Sequence, residues 1–200
     1  HVAFVEHLRR AGDQVDVIAL PSRNYAHHLT DNLSPKLYRQ LRALPVDVLL
    51  QDELNHPSLF WLNRRLRGQV DYSILAIVHH LRCHEAHSTW LNLFYRWIER
   101  HYLASVDGFI VNSQTTHAAV CQILGRSHLP NSLIAYPAGN RFSPSLTEAD
   151  LVARAHAQGA LRLVFVGNLI PRKGLHVLLT ALAQLPSDVC QLTVVGNPNS

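Results

Sequence analysis

The stretch Leu161–Leu179, LRLVFVGNLIPRKGLHVLL, joins a short apolar run to a glycine-containing turn and then to a second apolar segment. Residues Leu163–Val166 are aliphatic or aromatic, which predicts a parallel strand covered on both faces. Gly167 ends this strand, and the spacing from Leu175 to Leu185 predicts a helix. Because a helix start presents free N–H groups and about half a positive charge, the stretch predicts an α/β fold with an anion site.

The turn carries two adjacent cations, Arg172 and Lys173, followed by Gly174. Positive charge at a helix start opposes the helix dipole by about 0.3–1 kcal/mol unless an anion compensates it. Gly174 has no side chain and lets the backbone come close to a ligand. The combination favours a diphosphate site over the alternative of two solvated cations. It is not a P-loop, because the lysine precedes the glycine.

The pattern G-x-x-x-x-(R/K)-K-G after a strand resembles the donor-diphosphate loop of glycosyltransferase family 4, whose members have the GT-B fold. Four further segments follow that family's order and spacing: EHLRRAGDQVDVI, IVHHL, ERHYLASVDGFIVNSQTT and IAYPAGNRF. Together the five segments span nearly all 200 residues. The resemblance implies an α/β protein with two Rossmann-like domains. Residues 1–142 would form the acceptor-side, parallel-sheet domain without its first strand, and residues 143–200 would begin the nucleotide-sugar-binding domain.

The resemblance also implies a function: a retaining, metal-independent glycosyltransferase that moves a sugar from a nucleotide-sugar donor to a hydroxyl of a glycan, lipid or small molecule. His79 matches the family histidine near the donor sugar and is the candidate catalytic residue. The residues that match the donor-diphosphate loop are Gly167, Asn168, Arg172, Lys173 and Gly174. Asn168 stands where the family usually has a cation. An inactive nucleotide-sugar or glycan-binding module is therefore the alternative. The family's acidic E-x7-E motif is not among these residues, so we expect the 200 residues alone to be inactive.

The remaining pattern predicts alternating helices and strands. Strands are expected at 15–20, 46–51, 72–78, 106–111, 133–136 and 191–195; helices are expected before Gly12 and at 35–44, 59–66, 89–103 and 115–124, with an irregular segment at 24–34. A small helix starting with the capping pair Thr147 and Asp150 follows a Pro- and Gly-rich crossing. IAYPAGNRF departs from the family pattern and keeps Gly139 and Phe142, so a turn into that crossing is expected.

Polar residues follow two of the predicted strands at their carboxyl ends, where open α/β sheets place ligands. Asp52, Glu53 and His80 are the candidate acceptor-side residues, and a solvated strand-to-helix turn is the alternative interpretation. Glu99 is expected to pair with a neighbouring cation, and Asp107 is expected to orient the start of a strand. Neither acid is assigned to catalysis.

Two other patterns have rival interpretations. Trp90, Phe94, Trp97 and His101 fall on one helical stripe, which predicts core packing rather than a membrane anchor. In HHLRCHEAH, residues 79–87, pairs of His and Cys four residues apart would suit zinc on one helix and suggest a zinc-dependent hydrolase. The His-Glu-Ala-His order is one residue short of the metalloprotease pattern, so no metal is expected.

Composition narrows the class of partner. The net charge is +4, and the basic residues are spread along the chain, which favours phosphate-bearing partners and disfavours nucleic acid. The expected partners are therefore the nucleotide-sugar donor, a glycan or lipid-linked acceptor, and the inner membrane face as a peripheral contact, with no further cofactor. Three separated cysteines and no apolar run of about 20 residues predict a cytoplasmic protein. The chain has no methionine and starts inside a helical pattern, so an internal fragment is expected.

Overall fold

Two compact units make up the chain, His1–Gly139 and Asn140–Ser200, in a computed structural model that describes residues 2–137 and 145–197. The expected boundary after residue 142 and the expected turn over Gly139 and Phe142 lie outside the described residues. The two units differ in how many of their side chains they bury.

The first unit is an α/β layer structure built on a parallel sheet. Four strands, in the order β1-β2-β3-β4, form the sheet: β1 Val48–Asp52, β2 Ser73–Val78, β3 Gly108–Val111 and β4 Ser132–Ile134. The helices are α1 Val2–Ala11, α2 Tyr25–Asp31, α3 Pro35–Arg42, α4 His56–Leu66, α5 Thr89–Leu103 and α6 Gln114–Leu124. This architecture confirms the α/β prediction and is compatible with a Rossmann-like fold.

The core of the first unit lies between the sheet and the inner faces of α4 and α5. Alternate residues of β2, from Ile74 to Val78, are fully buried, as expected of a strand with one well-covered face. Leu62 of α4 and Ile98 and Tyr102 of α5 pack into the same cluster. Asp107 accepts the N–H of Ile74 (2.8 Å) and so fixes the start of β2, close to its expected role.

Two predictions near the start of the chain are wrong. Residues 15–20 form neither strand nor helix, because no described strand pairs with them; the Arg9 guanidinium donates to the Val15 carbonyl (2.7 Å). The segment expected to be irregular contains α2, which begins where the Asn24 side chain accepts the N–H of His27 (2.9 Å). Contacts with α4 hold this segment as a helix. For example, the side-chain amide of Asn32, directly after α2, donates to the carbonyl of Pro57 in α4 (2.6 Å).

The aromatic stripe on α5 is exposed, so the core-packing prediction is wrong. Trp90 is 84% exposed and Trp97 is 51% exposed, whereas Tyr95, Ile98 and Tyr102 on the opposite face are buried. The helix therefore has two apolar faces, and periodicity alone does not decide which of them meets the sheet.

The second unit is small and open. β5 Leu161–Val166 pairs in parallel with β6 Cys190–Val195, and the unit has two helices, α7 Glu148–Ala155 and α8 Leu175–Leu182. The capping box of Thr147 and Asp150 starts α7 as predicted. None of the described residues of this unit is buried, so the prediction of a strand covered on both faces is wrong: two strands and two helices provide too few neighbours.

Candidate functional site

The turn between β5 and α8 has the shape that its glycine predicts. Pro171–Lys173 form one turn of 3-10 helix, in which the N–H of Gly174 donates to the Pro171 carbonyl (3.0 Å). Gly174 then adopts a left-handed conformation with φ +73°, which a residue with a side chain rarely adopts. This conformation redirects the chain into α8, which begins at the next residue.

Gly167 and Lys173 lie together in this turn. A Cβ atom placed on Gly167 would lie 3.8 Å from both Cγ and Cδ of Lys173, so the lysine stem passes over the glycine backbone. A Cβ on Gly196 would lie 1.9 Å from the Gly167 carbonyl oxygen, so only glycine fits there. The sequence pattern did not assign Gly196 to the site. Its position directly after the second apolar strand of the unit could have indicated such a role.

Positive charge is concentrated at the start of α8. No side chain caps this helix, and within residues 145–197 neither the Arg172 nor the Lys173 side chain has an ion-pair or hydrogen-bond partner. Both cations are exposed, as is Asn168, whose backbone carbonyl accepts the N–H of Ile170 (2.9 Å). The five predicted donor-loop residues therefore lie in one short segment, with uncompensated cations beside a helix N-terminus.

His79 lies at the carboxyl end of β2 in the first unit, and its backbone is held from two sides. The carboxylate of Glu53 accepts the N–H of His79 (2.5 Å) and the N–H of His80 (3.3 Å). The side-chain amide of Asn112 donates to the His79 carbonyl (2.9 Å). His79 itself is exposed, so a histidine with a fixed backbone faces solvent at the strand end.

A second buried glutamate holds the next part of the same segment. Glu99 accepts the N–H of Arg82 (2.6 Å) and the N–H of Cys83 (3.2 Å). Its hydrogen-bond partners are thus backbone amides, and the predicted pairing with a neighbouring cation is wrong. The sequence signal for this role is the single acidic residue of α5, which follows the apolar Ile98 directly. Together, Glu53 and Glu99 fix residues 79–83, which we call the two-glutamate loop.

Burial shifts the acid–base properties of this region. Burial raises the pKa of Glu53 to about 7, the N–H of His79 opposes that rise, and the Asp52 carboxylate adds to it. Burial also raises the pKa of Glu99. The pKa of the neighbouring His56 is lowered to about 4, again mainly by burial. Glu53 therefore changes charge near neutral pH while it holds the backbone of His79.

The candidate acceptor-side residues differ in accessibility. Glu53 is 4% exposed and faces the backbone of the two-glutamate loop rather than solvent, which is not the exposed position that the sequence suggested. Asp52 accepts the N–H of Leu54 (2.9 Å) and caps a short 3-10 turn. His80 is exposed, and its Nε2 lies 3.6 Å from Oε1 of Glu85.

The segment HHLRCHEAH does not form the helix that a zinc site would need. Arg82–His84 make a single 3-10 turn and the flanking residues are not helical, so residues four apart do not share a helix face. Across residues 2–137 and 145–197, no group of three or more His, Cys, Asp or Glu side chains is placed to hold a metal ion.

Comparison with known proteins assigns no family. No family model matches the chain, and no curated protein matches it. The structure shows an α/β unit with a Rossmann-like parallel sheet, which carries His79 at a strand end, and a second unit, which carries a basic glycine turn.

Proposed function

We propose that the protein is a retaining glycosyltransferase that uses a nucleotide-sugar donor. The observation that carries the proposal is the turn at the start of α8, where the Lys173 stem lies over Gly167 and two cations lack partners beside an uncapped helix. This arrangement suits a diphosphate because a helix N-terminus and adjacent cations both stabilise negative charge.

The proposed chemistry follows from the charge that develops in sugar transfer. The bond between the sugar and the diphosphate breaks, and the leaving diphosphate gains negative charge, which Arg172 and Lys173 stabilise. The acceptor hydroxyl attacks the face from which the diphosphate leaves, so the configuration is retained. Its oxygen forms the new bond to the sugar, and its proton passes to the departing diphosphate oxygen. In this proposal the imidazole of His79 hydrogen-bonds the donor sugar, and the backbone bonds to Glu53 and Asn112 keep the residue in place.

The second candidate function is a nucleotide-sugar-binding module without turnover, and Asn168 favours it. Asn168 is exposed and uncharged at the position where the resembling family has a cation. Loss of one cation weakens electrostatic stabilisation of the leaving group more than it weakens binding, because charge grows during bond breaking. The two candidates share the diphosphate site and differ only in chemistry.

Lysine footprinting tests the diphosphate site, because the chain has two lysines, Lys36 and Lys173, one in each unit. The chain is acetylated with an N-hydroxysuccinimide ester in the presence and absence of UDP, GDP or ADP, and each lysine is quantified by mass spectrometry. We expect at least one nucleoside diphosphate to slow acetylation of Lys173 several-fold while Lys36, exposed on α3, reacts at an unchanged rate.

Equal acetylation of Lys173 with and without every nucleotide would overturn the diphosphate site and both candidate functions. Donor turnover then separates the candidates. This step uses the protein as it is naturally produced, because the 200 residues alone are expected to be inactive. A transferase releases nucleoside diphosphate from a nucleotide sugar, and His79→Ala lowers that release by about a hundredfold without changing Lys173 protection. Protection without release in the unmodified native protein would favour the binding module.

A further inference from the structure

The outer faces of α4 and α5 form an exposed aromatic surface. Its five members, which define the aromatic surface below, are Trp61, Trp90, Leu93, Phe94 and Trp97. The chain has three tryptophans, and all three belong to this surface. Large exposed aromatic side chains that cluster mark an interaction site rather than ordinary surface.

The stripe on α5 lies apart from the face of this helix that packs into the core. At about 100° per residue, Trp90, Phe94 and Trp97 share a stripe opposite Tyr95 and Tyr102, which already pack into the core. The ring of Trp97 meets Phe60 of α4 edge-on, with centroids 5.9 Å apart, which joins the two helices into one surface. The stripe is therefore a second apolar face whose side chains remain largely exposed.

The exposed charges that α4 and α5 themselves carry all have one sign. α4 and α5 carry arginines at positions 64, 65, 96 and 100, and all four are exposed. The one acidic residue in the two helices is Glu99, which is buried beneath the surface and bonded to backbone amides. Two helices with exposed aromatic and basic side chains complement a partner that is apolar below a negatively charged layer.

We propose that the aromatic surface docks on an anionic lipid bilayer. Tryptophan prefers the membrane–water interface because its ring is amphipathic, and arginine is attracted to anionic headgroups. In the described part of the chain no helix is long and apolar enough to span a bilayer, so the contact is peripheral. This proposal is independent of the diphosphate site, since the aromatic surface belongs to the other unit.

Tryptophan fluorescence tests the docking directly, because every tryptophan lies on the surface. The chain is titrated with vesicles of phosphatidylcholine alone and with vesicles that also contain phosphatidylglycerol. We expect a blue shift of the emission and co-sedimentation with the anionic vesicles only. Arg96→Gln and Arg100→Gln should each weaken binding about fivefold, and added salt should weaken it further.

The paired variant Trp90→Ser/Trp97→Ser should abolish co-sedimentation. Leu133→Ser/Tyr136→Ser, which removes exposed apolar side chains elsewhere in the same unit, should not change it. Circular dichroism of both variants checks that they fold. Co-sedimentation of the tryptophan variant at the unmodified level would overturn the proposal, as would equal binding to neutral vesicles. A dimer that the tryptophan variant disrupts, without any vesicle binding, would instead assign the surface to a second copy of the chain.

Discussion

The two units contain the same kinds of element but differ in burial. In the first unit, helices cover a four-stranded parallel sheet, and side chains such as Leu62, Val78 and Tyr102 have almost no exposed area. In the second unit, β5 and β6 pair in full register, yet none of the described residues is buried. Backbone pairing is thus present in both units, while the apolar burial that stabilises a fold is concentrated in the first.

This difference bears on how each candidate site keeps its shape. Around His79, side chains from other elements fix the backbone: Glu53 and Asn112 bond it directly. Around Lys173, the shape comes from the backbone, chiefly the left-handed Gly174 and the close approach of Gly196, after β6, to Gly167, after β5. We expect substitutions at the first site to act through the side chains that bond the His79 backbone, and those at the second to act through the glycine backbone.

The largest expected effect comes from cavities in the core. Leu62→Ala should lower the free energy of unfolding of the first unit by about 2–5 kcal/mol, because Leu62 is 0% exposed and its removal leaves a void. Val166→Ala, at a strand residue that is 75% exposed, should change the stability by less than about 0.5 kcal/mol. Urea unfolding followed by circular dichroism measures both.

An equal decrease in the free energy of unfolding in the two variants would contradict the difference in burial between the units. It would mean that Val166 is covered in solution, as the sequence suggested when it predicted a strand covered on both faces. Hydrogen exchange provides a second readout, because amides of β2 should be protected far longer than those of β5.

The next effect concerns pH, and two neighbouring groups have opposite signs. The folded-state pKa of Glu53, about 7, lies above its ordinary value of 4.5, so its contribution to stability is full below pH 4.5 and is lost as pH rises to 7. The folded-state pKa of His56, about 4, lies below 6.5, so stability is lost as pH falls from 6.5 to 4. Each effect amounts to at most about 3 kcal/mol.

Substitutions separate the two contributions. Relative to the unmodified chain, Glu53→Gln should gain stability as pH rises from 4.5 to 7, whereas His56→Asn should lose stability over the same range. Denaturant midpoints measured at several pH values test this, with Glu148→Gln on the exposed α7 as a control. Curves for Glu53→Gln and the unmodified chain that stay parallel would show that Glu53 does not titrate in this window.

The sequence predicted those features that depend on local pattern. The helix over residues 89–103, the capping box of Thr147 and the turn after Gly167 are all found where the pattern placed them, because capping and glycine geometry are local. The α/β alternation was readable for the same reason. Within the second unit, the donor-loop residues lie together because they are close in the chain.

The features that the sequence did not predict depend on contacts between distant residues. Glu53 and His79 are 26 positions apart, and nothing in the spacing indicates that one holds the backbone of the other. The helix over residues 25–31 exists through its packing against α4, which a polar composition does not reveal. The exposed side of α5 could not be chosen either, since both of its faces are apolar.

The smallest expected effect compares two glycines with the same backbone geometry, one in each unit. Gly125 ends α6 with φ +66°, Gly174 precedes α8 with φ +73°, and no atom lies within 4 Å of a Cβ added to either. Alanine at either position is strained by roughly 1 kcal/mol, because a side chain disfavours this conformation.

In Gly125→Ala the strain should lower the free energy of unfolding of the first unit by that amount. In Gly174→Ala it should leave that unfolding unchanged and instead reduce the protection of Lys173 by nucleoside diphosphate. Urea unfolding and lysine acetylation are measured for both variants. A lower free energy of unfolding of the first unit in Gly174→Ala would contradict the prediction and show that the two units unfold together.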